Sequence, residues 1–217
     1  MALAWRQGLA RPWVKAVVWL ACGLPLVWLL AAGLANGLGP NPAEALIRGL
    51  GDWTLRLLCL ALAVSPLRRL LRLPALAQWR RGLGLWAFGY GLCHLLAYAW
   101  LDMGLEVGDI VADIAKRPFI AVGMAALGLL LLLAATSFDR AISALGGRRW
   151  RALHRAVHAA ALLALLHFYW MRAGKQDFAE VGLYAAVIAA LWLERLWFRW
   201  RGRAPGATGR RPFRAHE

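Results

Sequence analysis

Long stretches without a charged residue recur along the chain and indicate its structural class. Residues 16–35, 82–101 and 118–138 contain no Asp, Glu, Lys or Arg. A helix of about 20 residues, at 1.5 Å per residue, crosses a hydrocarbon layer of about 30 Å. Each of these stretches therefore predicts a membrane-spanning helix.

Three further apolar stretches, residues 57–67, 156–171 and 181–193, predict three more spans. The first reaches spanning length if Asp52 and Arg56 lie near an interface, and the last extends past Glu194 and Arg195, whose side chains can reach water from a helix end. We therefore predict an all-α, polytopic membrane bundle of six transmembrane helices. Its parts are a cytoplasmic segment (residues 1–15), the six-helix domain (16–198) and a basic, disordered cytoplasmic tail (199–217).

The net charge of +15 is explained by the distribution of Lys and Arg between the predicted loops. With the N-terminus in the cytoplasm, most of these residues fall on the cytoplasmic side, and so does the C-terminus. Six spans leave the following cations on the opposite side: Arg48, Arg56, Lys116, Arg117, Arg172 and Lys175. This pattern predicts contact with a lipid bilayer and no nucleic-acid partner.

Four acidic residues, Asp102, Glu106, Asp109 and Asp113, share one predicted loop on the non-cytoplasmic side. They are either an ordinary solvated loop or a docking face for a partner on that side. No segment outside the spans is long enough for a soluble catalytic domain, and no GxGxxG motif follows a strand. Any redox chemistry therefore takes place in the membrane or on a partner.

Histidines stand out in two of the predicted spans. His94 lies about 18 Å from the cytoplasmic entry of the third span, and His167 about 22 Å from that of the fifth. Ionisable residues within spans are costly and suggest function, and neutral imidazole is a common ligand of haem iron. The matching depths of His94 and His167 predict an axial pair for one haem.

A second site nearer the cytoplasm is incomplete in the sequence. His154 lies only about 3 Å into the fifth span, but the positions that would oppose it are Arg80 and Arg81. His158, one turn further along, is an alternative ligand or a hydrogen-bonding neighbour. Arg80, Arg81, Arg149 and Arg151 surround the same end and are candidates to pair with haem propionates or an anionic flavin.

The residues alone leave other functions open. The histidines can form hydrogen bonds between helices, or belong to a small membrane transporter that uses intramembrane histidines. A zinc or copper site is a further option, although two histidines without a nearby carboxylate or thiolate supply only part of a tetrahedral ligand set.

Three segments together resemble the MsrQ (YedZ) family of membrane proteins. They are RRGLGLWAFGYGLCHLLAYAWLD (residues 80–102), KRPFIAVG (116–123) and LAATSFDRAISALGGRRWRALHRAVHAAALLALLHFYW (133–170). The similarity extends over nearly the whole folded chain.

This resemblance implies a b-type cytochrome of the ferric-reductase-like transmembrane group in the bacterial inner membrane. It implies one or two b haems, with His94, His154 and His167 as axial ligands, and FMN as a further cofactor. The chain would be a non-catalytic electron-transfer subunit that receives electrons from the quinol pool or a cytosolic flavin donor. Its partner would be an MsrP-like periplasmic molybdenum-cofactor reductase, which repairs methionine sulfoxide in periplasmic proteins.

Overall fold

The described part of the structure, a computed structural model, covers residues 11–174 and 176–201 and is helical. The helices are α1 (Pro12–Leu34), α2 (Pro42–Leu70), α3 (Trp79–Ala97), α4 (Val107–Lys116), α5 (Pro118–Ala135), α6 (Asp139–Leu153), α7 (Val157–Ala173) and α8 (Ala179–Arg201). Short 3-10 turns precede α3 (Pro74–Gln78) and α7 (His154–Ala156), and a π-helical turn (Tyr98–Asp102) extends α3. The all-α prediction is confirmed.

Five helical stretches among the described residues are long and apolar enough to cross a membrane: α1, α2, α5, the stretch Asp139–Ala173, and α8. The protein is therefore a multi-pass membrane protein. Helix α3 is not one of the five, since its glycines and the charges of Arg80 and Arg81 reduce its mean hydropathy. Six spans with both termini in the cytoplasm stay a prediction.

Helix α2 begins well before the apolar stretch that predicted it. The Asn41 side chain caps the helix by accepting a hydrogen bond from the Glu44 backbone N–H at 3.2 Å, and proline occupies the first helical position. Arg48, Asp52 and Arg56 then recur every four residues and so share one face. Because these charged side chains share one face, the helix continues through the charged segment that precedes the apolar stretch.

The helices pack as two pairs that meet side by side. Helix α2 packs most extensively on α3, and α5 on α7, while the pairs touch through α3 with α5 and α2 with α7. Ala87, Ala160 and Ala161 are fully buried, and such small side chains allow helix backbones to approach closely in membrane proteins. Helices α1 and α8 lie at the periphery and expose many large apolar side chains.

Tyr90 attaches the peripheral helix α1 to the bundle. Its buried hydroxyl accepts a hydrogen bond from the Leu26 N–H and donates one to the Cys22 carbonyl, both at 2.8 Å. This site lies at Pro25, inside α1. Insertion of a side chain into the backbone ladder is a known cause of helix distortion, and here the same hydroxyl satisfies two backbone groups.

The predicted fifth span is irregular at its first turns. Gly146 in α6 has a φ of 71°, a left-handed conformation that favours glycine, and the 3-10 turn at His154 separates α6 from α7. At the other end of the domain, α8 continues through Arg201, whose guanidinium lies 4.4 Å from the Trp197 ring centre. The last helix is thus three residues longer than the domain boundary we predicted, and the rest of the predicted tail lies outside the described residues, as do residues 1–10 and Lys175.

Candidate functional site

A cavity of about 430 Å³ lies between the two helix pairs. Its walls come from α2, α3, α5 and α7, and most of the lining side chains are apolar, among them Leu127, Leu130 and Phe168. Arg48, Asp102 and other polar side chains line it as well. A cavity between bundle helices is a common place for a cofactor.

His94 from α3 and His167 from α7 line this cavity together. Their ring centres are 6.2 Å apart and the ring planes are nearly perpendicular, at 80°. The structure thus brings the two histidines predicted to form an axial pair into one cavity, and their role as ligands stays a prediction.

Each of the two rings is oriented by a backbone carbonyl of the neighbouring helix. His94 Nδ1 lies 2.8 Å from the Ile47 carbonyl oxygen of α2, and His167 Nδ1 lies 2.6 Å from the Phe119 carbonyl oxygen of α5. A carbonyl can only accept, so each Nδ1 carries the proton and donates it. This tautomer leaves a lone pair on Nε2 of both rings, which is the arrangement that metal-ligating histidines use.

A glycine lies against each histidine ring. A Cβ atom at Gly51 of α2 would lie 3.2 Å from atoms of the His94 ring, and one at Gly123 of α5 would lie 2.8 Å from His167 Nδ1. The glycines follow Ile47 and Phe119 by four residues, which places each one a helical turn beyond the carbonyl that its histidine contacts. The two helix pairs therefore use the same device to position a ring.

The geometry of this pair fits a haem with two axial histidines. Two metal–nitrogen bonds of about 2.0 Å, plus roughly 1 Å from each nitrogen to its ring centre, give about 6 Å between ring centres. The observed 6.2 Å matches this separation. A zinc site fits less well, because no three His, Cys, Asp or Glu side chains converge in the described ranges.

His154 lies apart from this pair and has no opposing histidine among the described residues. Its Nε2 is 3.2 Å from the Thr136 hydroxyl oxygen, and its ring stacks on Trp150 with centres 4.1 Å apart. Trp150 in turn donates its indole N–H to the Thr136 carbonyl at 2.8 Å. A role for His154 as a ligand of a second haem stays a prediction.

His158 is held by two side chains of α8. Trp192 donates its indole N–H to His158 Nδ1 at 3.1 Å, and the Arg195 guanidinium contacts the same imidazole. Arg195 also donates to the Leu62 carbonyl of α2 at 2.8 Å. These contacts give His158 the role of a hydrogen-bonding neighbour that joins three helices, which was one of the two options left by the sequence.

The four arginines predicted around this end have different surroundings. Arg81 pairs with Asp139 at 2.8 Å and links α3 to α6, while the Arg151 guanidinium lies over Gly147. Arg80 lies in the first turn of α3. Arg149 is exposed.

The four acidic residues of the predicted docking loop lie on or beside α4. Glu106 and Asp109 are exposed, and Asp102 lines the cavity. The side chain of Asp113 is only 12% exposed, because it accepts a hydrogen bond from the Tyr98 hydroxyl at 2.8 Å and pairs with Arg117 at 2.9 Å. Asp113 is therefore directed into the protein and is unsuited to a direct role in docking.

Sequence reasoning missed several residues that shape the cavity. The carbonyls of Ile47 and Phe119 leave no trace in a sequence, since every residue carries one. Gly51 and Gly123 offered a weak signal, a glycine within an apolar stretch, which often marks a close approach. Asp52 also lines the cavity and was not predicted as a site residue.

Comparison with known proteins identifies relatives of the chain. A family model described as "Ferric reductase like transmembrane component" matches residues 50–165. A protein-methionine-sulfoxide reductase heme-binding subunit MsrQ from Polaromonas naphthalenivorans (strain CJ2) is 54% identical over 91% of this chain and 92% of that protein. The MsrQ proteins of Ralstonia nicotianae (strain ATCC BAA-1114 / GMI1000) and Caulobacter vibrioides (strain ATCC 19089 / CIP 103742 / CB 15) are 49% and 44% identical, over 89% and 85% of this chain and 89% and 87% of their own length. The chain therefore belongs to the MsrQ family of ferric-reductase-like transmembrane proteins.

Proposed function

We propose that the chain is a b-type cytochrome subunit that binds one haem between His94 and His167 and carries electrons across the membrane. The observation that supports this most strongly is the facing pair of imidazoles, 6.2 Å apart, with both Nδ1 atoms committed to carbonyls. When bound, a haem iron supplies the capacity to take up and release one electron at a time.

The protein's own contribution is to hold the two ligands and to exclude water from their surroundings. The carbonyls of Ile47 and Phe119 fix the tautomer and the orientation of both rings, and such partners also make the ligating nitrogen more basic. The apolar walls of the cavity lower the local dielectric constant, which sets the energy of a charge change at the iron.

The direction of electron flow follows from the proposed topology. If the end of the bundle with many arginines faces the cytoplasm, then the histidine pair lies in the half of the membrane nearer the opposite side. The partner there would be the reductase subunit of a methionine-sulfoxide reductase system, a periplasmic molybdenum-cofactor protein, and the membrane would be the bacterial inner membrane. The donor would be quinol or a cytosolic flavin reductase, with FMN as a further cofactor.

A second haem at His154 receives no support from the contacts of that residue. In the one-haem proposal, the end of the bundle near His154 therefore holds no haem. Arg80, Arg81, Arg149 and Arg151 remain candidates there for an anionic flavin or for lipid headgroups.

The absorption spectrum of the purified protein, oxidised and dithionite-reduced, tests the proposal. We expect the spectrum of a low-spin, six-coordinate b haem, at one haem per chain. A protein that stays colourless when haem is supplied during expression would overturn the proposal and favour a transporter that uses the histidines for protons. Two haems per chain would contradict the role assigned to His154.

A further inference from the structure

Helix α4 has ten residues, which is too short to cross a membrane, and it lies between the π-helical turn that extends α3 and the membrane-length helix α5. The π-helical turn that extends α3 ends at Asp102, four residues separate it from the start of α4 at Val107, and a single residue, Arg117, separates α4 from α5. Helix α5 has the length and hydropathy of a membrane span. The last turn of α4 is therefore held at the depth where α5 enters the membrane.

The surface of α4 has four sides. At 100° per residue, Ile110, Asp113 and Ile114 share the side that is partly buried against the protein. Val107 and Val111 form one flanking edge and are 71% and 60% exposed. Asp109 and Lys116 form the opposite flanking edge and are also exposed. The remaining side carries the small residues Gly108, Ala112 and Ala115.

The rotation of α4 about its own axis is fixed by polar contacts. The Asp113 carboxylate accepts a hydrogen bond from the hydroxyl of Tyr98, in the π-helical turn after α3. It also forms an ion pair with Arg117, which immediately precedes α5. With Asp113 held inward, Val111 and Asp109 are directed to opposite edges, about 160° apart around the helix. One edge is aliphatic and the other charged, which is the division that a membrane–water boundary selects.

Two large apolar side chains that precede α4 in the sequence are also exposed. Leu105, just before α4, is 59% exposed, and Trp100 in the preceding turn is 67% exposed. Trp is enriched where a membrane meets water, because its ring is apolar and its indole N–H is polar. Exposed apolar side chains thus occur both in the aliphatic edge of α4 and in the segment that leads into it.

We propose that α4 is an interfacial helix, with Val107 and Val111 immersed among lipid acyl chains and Asp109 directed to water. The occupant of the aliphatic edge is the bilayer itself. The helix carries more acidic than basic side chains, so apolar burial rather than attraction to anionic lipid keeps it at the interface. This position would fix the rim of the histidine cavity, since Tyr98 and Arg117 line the cavity and both contact Asp113.

Fluorescence quenching on the full chain tests this position. The native Cys22, Cys59 and Cys93 are replaced by Ala, and a single cysteine is introduced as Val111→Cys or, as the matched control, Asp109→Cys. Each variant is labelled with bimane and reconstituted in phosphatidylcholine nanodiscs without any partner protein. Brominated phosphatidylcholine reports contact with acyl chains, and iodide reports contact with water.

We expect brominated lipid to quench the label at position 111 and iodide to leave it unquenched, with the reverse at position 109. A label at 111 that iodide quenches as strongly as the label at 109 would overturn the proposal and leave the aliphatic edge to a protein partner. Quenching of both labels by lipid would overturn it too, because the whole helix would then be immersed. Val107→Cys repeats the test at a second position, and variants are compared only when they elute as a single species with unchanged helicity.

Discussion

His94 and His167 lie with their ring centres 6.2 Å apart, and each donates its Nδ1–H to a carbonyl on a different helix. Four helices are therefore needed to position this one pair of imidazoles. The two halves use the same local arrangement, since Gly51 follows the Ile47 carbonyl by one turn as Gly123 follows the Phe119 carbonyl. The site therefore depends on the packing of the pair α2–α3 against the pair α5–α7.

The glycines beside the rings predict a specific mutational effect. Gly123→Ala would place a Cβ within 2.8 Å of His167 Nδ1 and force the ring out of position, so we expect a large loss of bound haem. In Gly51→Ala the new Cβ would lie 3.2 Å from the His94 ring, so we expect a smaller loss of bound haem. Haem content per purified chain measures both effects.

Gly128→Ala is the matched control, because it lies on the same helix as Gly123 and a Cβ there meets nothing within 4 Å. Equal haem content in Gly123→Ala and Gly128→Ala would show that the His167 ring does not need its present position.

Tyr90→Phe should loosen helix α1 without affecting haem content. The change removes the hydroxyl that hydrogen-bonds to the Leu26 N–H and the Cys22 carbonyl. A buried polar group that loses its hydrogen-bond partner lowers the free energy of unfolding by about 1–3 kcal/mol. We expect a lower thermal midpoint in detergent. Tyr169→Phe, at an exposed tyrosine that stacks on Phe178, serves as the control and should leave the midpoint unchanged.

His158→Ala should lower stability and leave the haem in place. The imidazole accepts the indole N–H of Trp192, and its loss leaves that donor unpaired in the bundle, at a cost of about 1–3 kcal/mol. Thermal unfolding and haem content are measured on the same preparation. Loss of haem with unchanged unfolding would instead identify His158 as a ligand.

The exposed acids beside α4 are expected to speed association with a reductase partner. Glu106→Gln combined with Asp109→Asn should slow electron delivery at low salt, and the difference should fade as salt increases, because surface charges act over about 10 Å at 0.1 M ionic strength. Stopped-flow oxidation of the reduced subunit by the purified partner gives the rate.

Asp139→Asn is the control for that experiment. It removes an exposed acid of the pair with Arg81, far along the chain from α4, and should not alter the rate. A double variant at Glu106 and Asp109 that reacts as fast as the unmodified protein at low salt would argue for a solvated loop without a docking role.

That His94 and His167 line one cavity could be expected from the sequence, because depth in a membrane follows from residue count once the spans are known. The sequence did not predict where α2 begins, because the span was recognised from the apolar stretch 57–67, whereas the helix starts at Pro42 and carries Arg48, Asp52 and Arg56 on one face. It also could not predict that Asp113 turns inward, because the choice depends on Tyr98, which lies fifteen residues earlier. The roles of backbone carbonyls are equally invisible in the sequence, since they depend on which helices become neighbours.

Haem content of single histidine variants tests the central claim most directly. His94→Ala and His167→Ala should each lose the bound haem, while His154→Ala and His158→Ala should retain one haem per chain when all four are purified under the same conditions. Retention of a full haem in both His94→Ala and His167→Ala, or its loss in His154→Ala with His94 and His167 intact, would contradict the account.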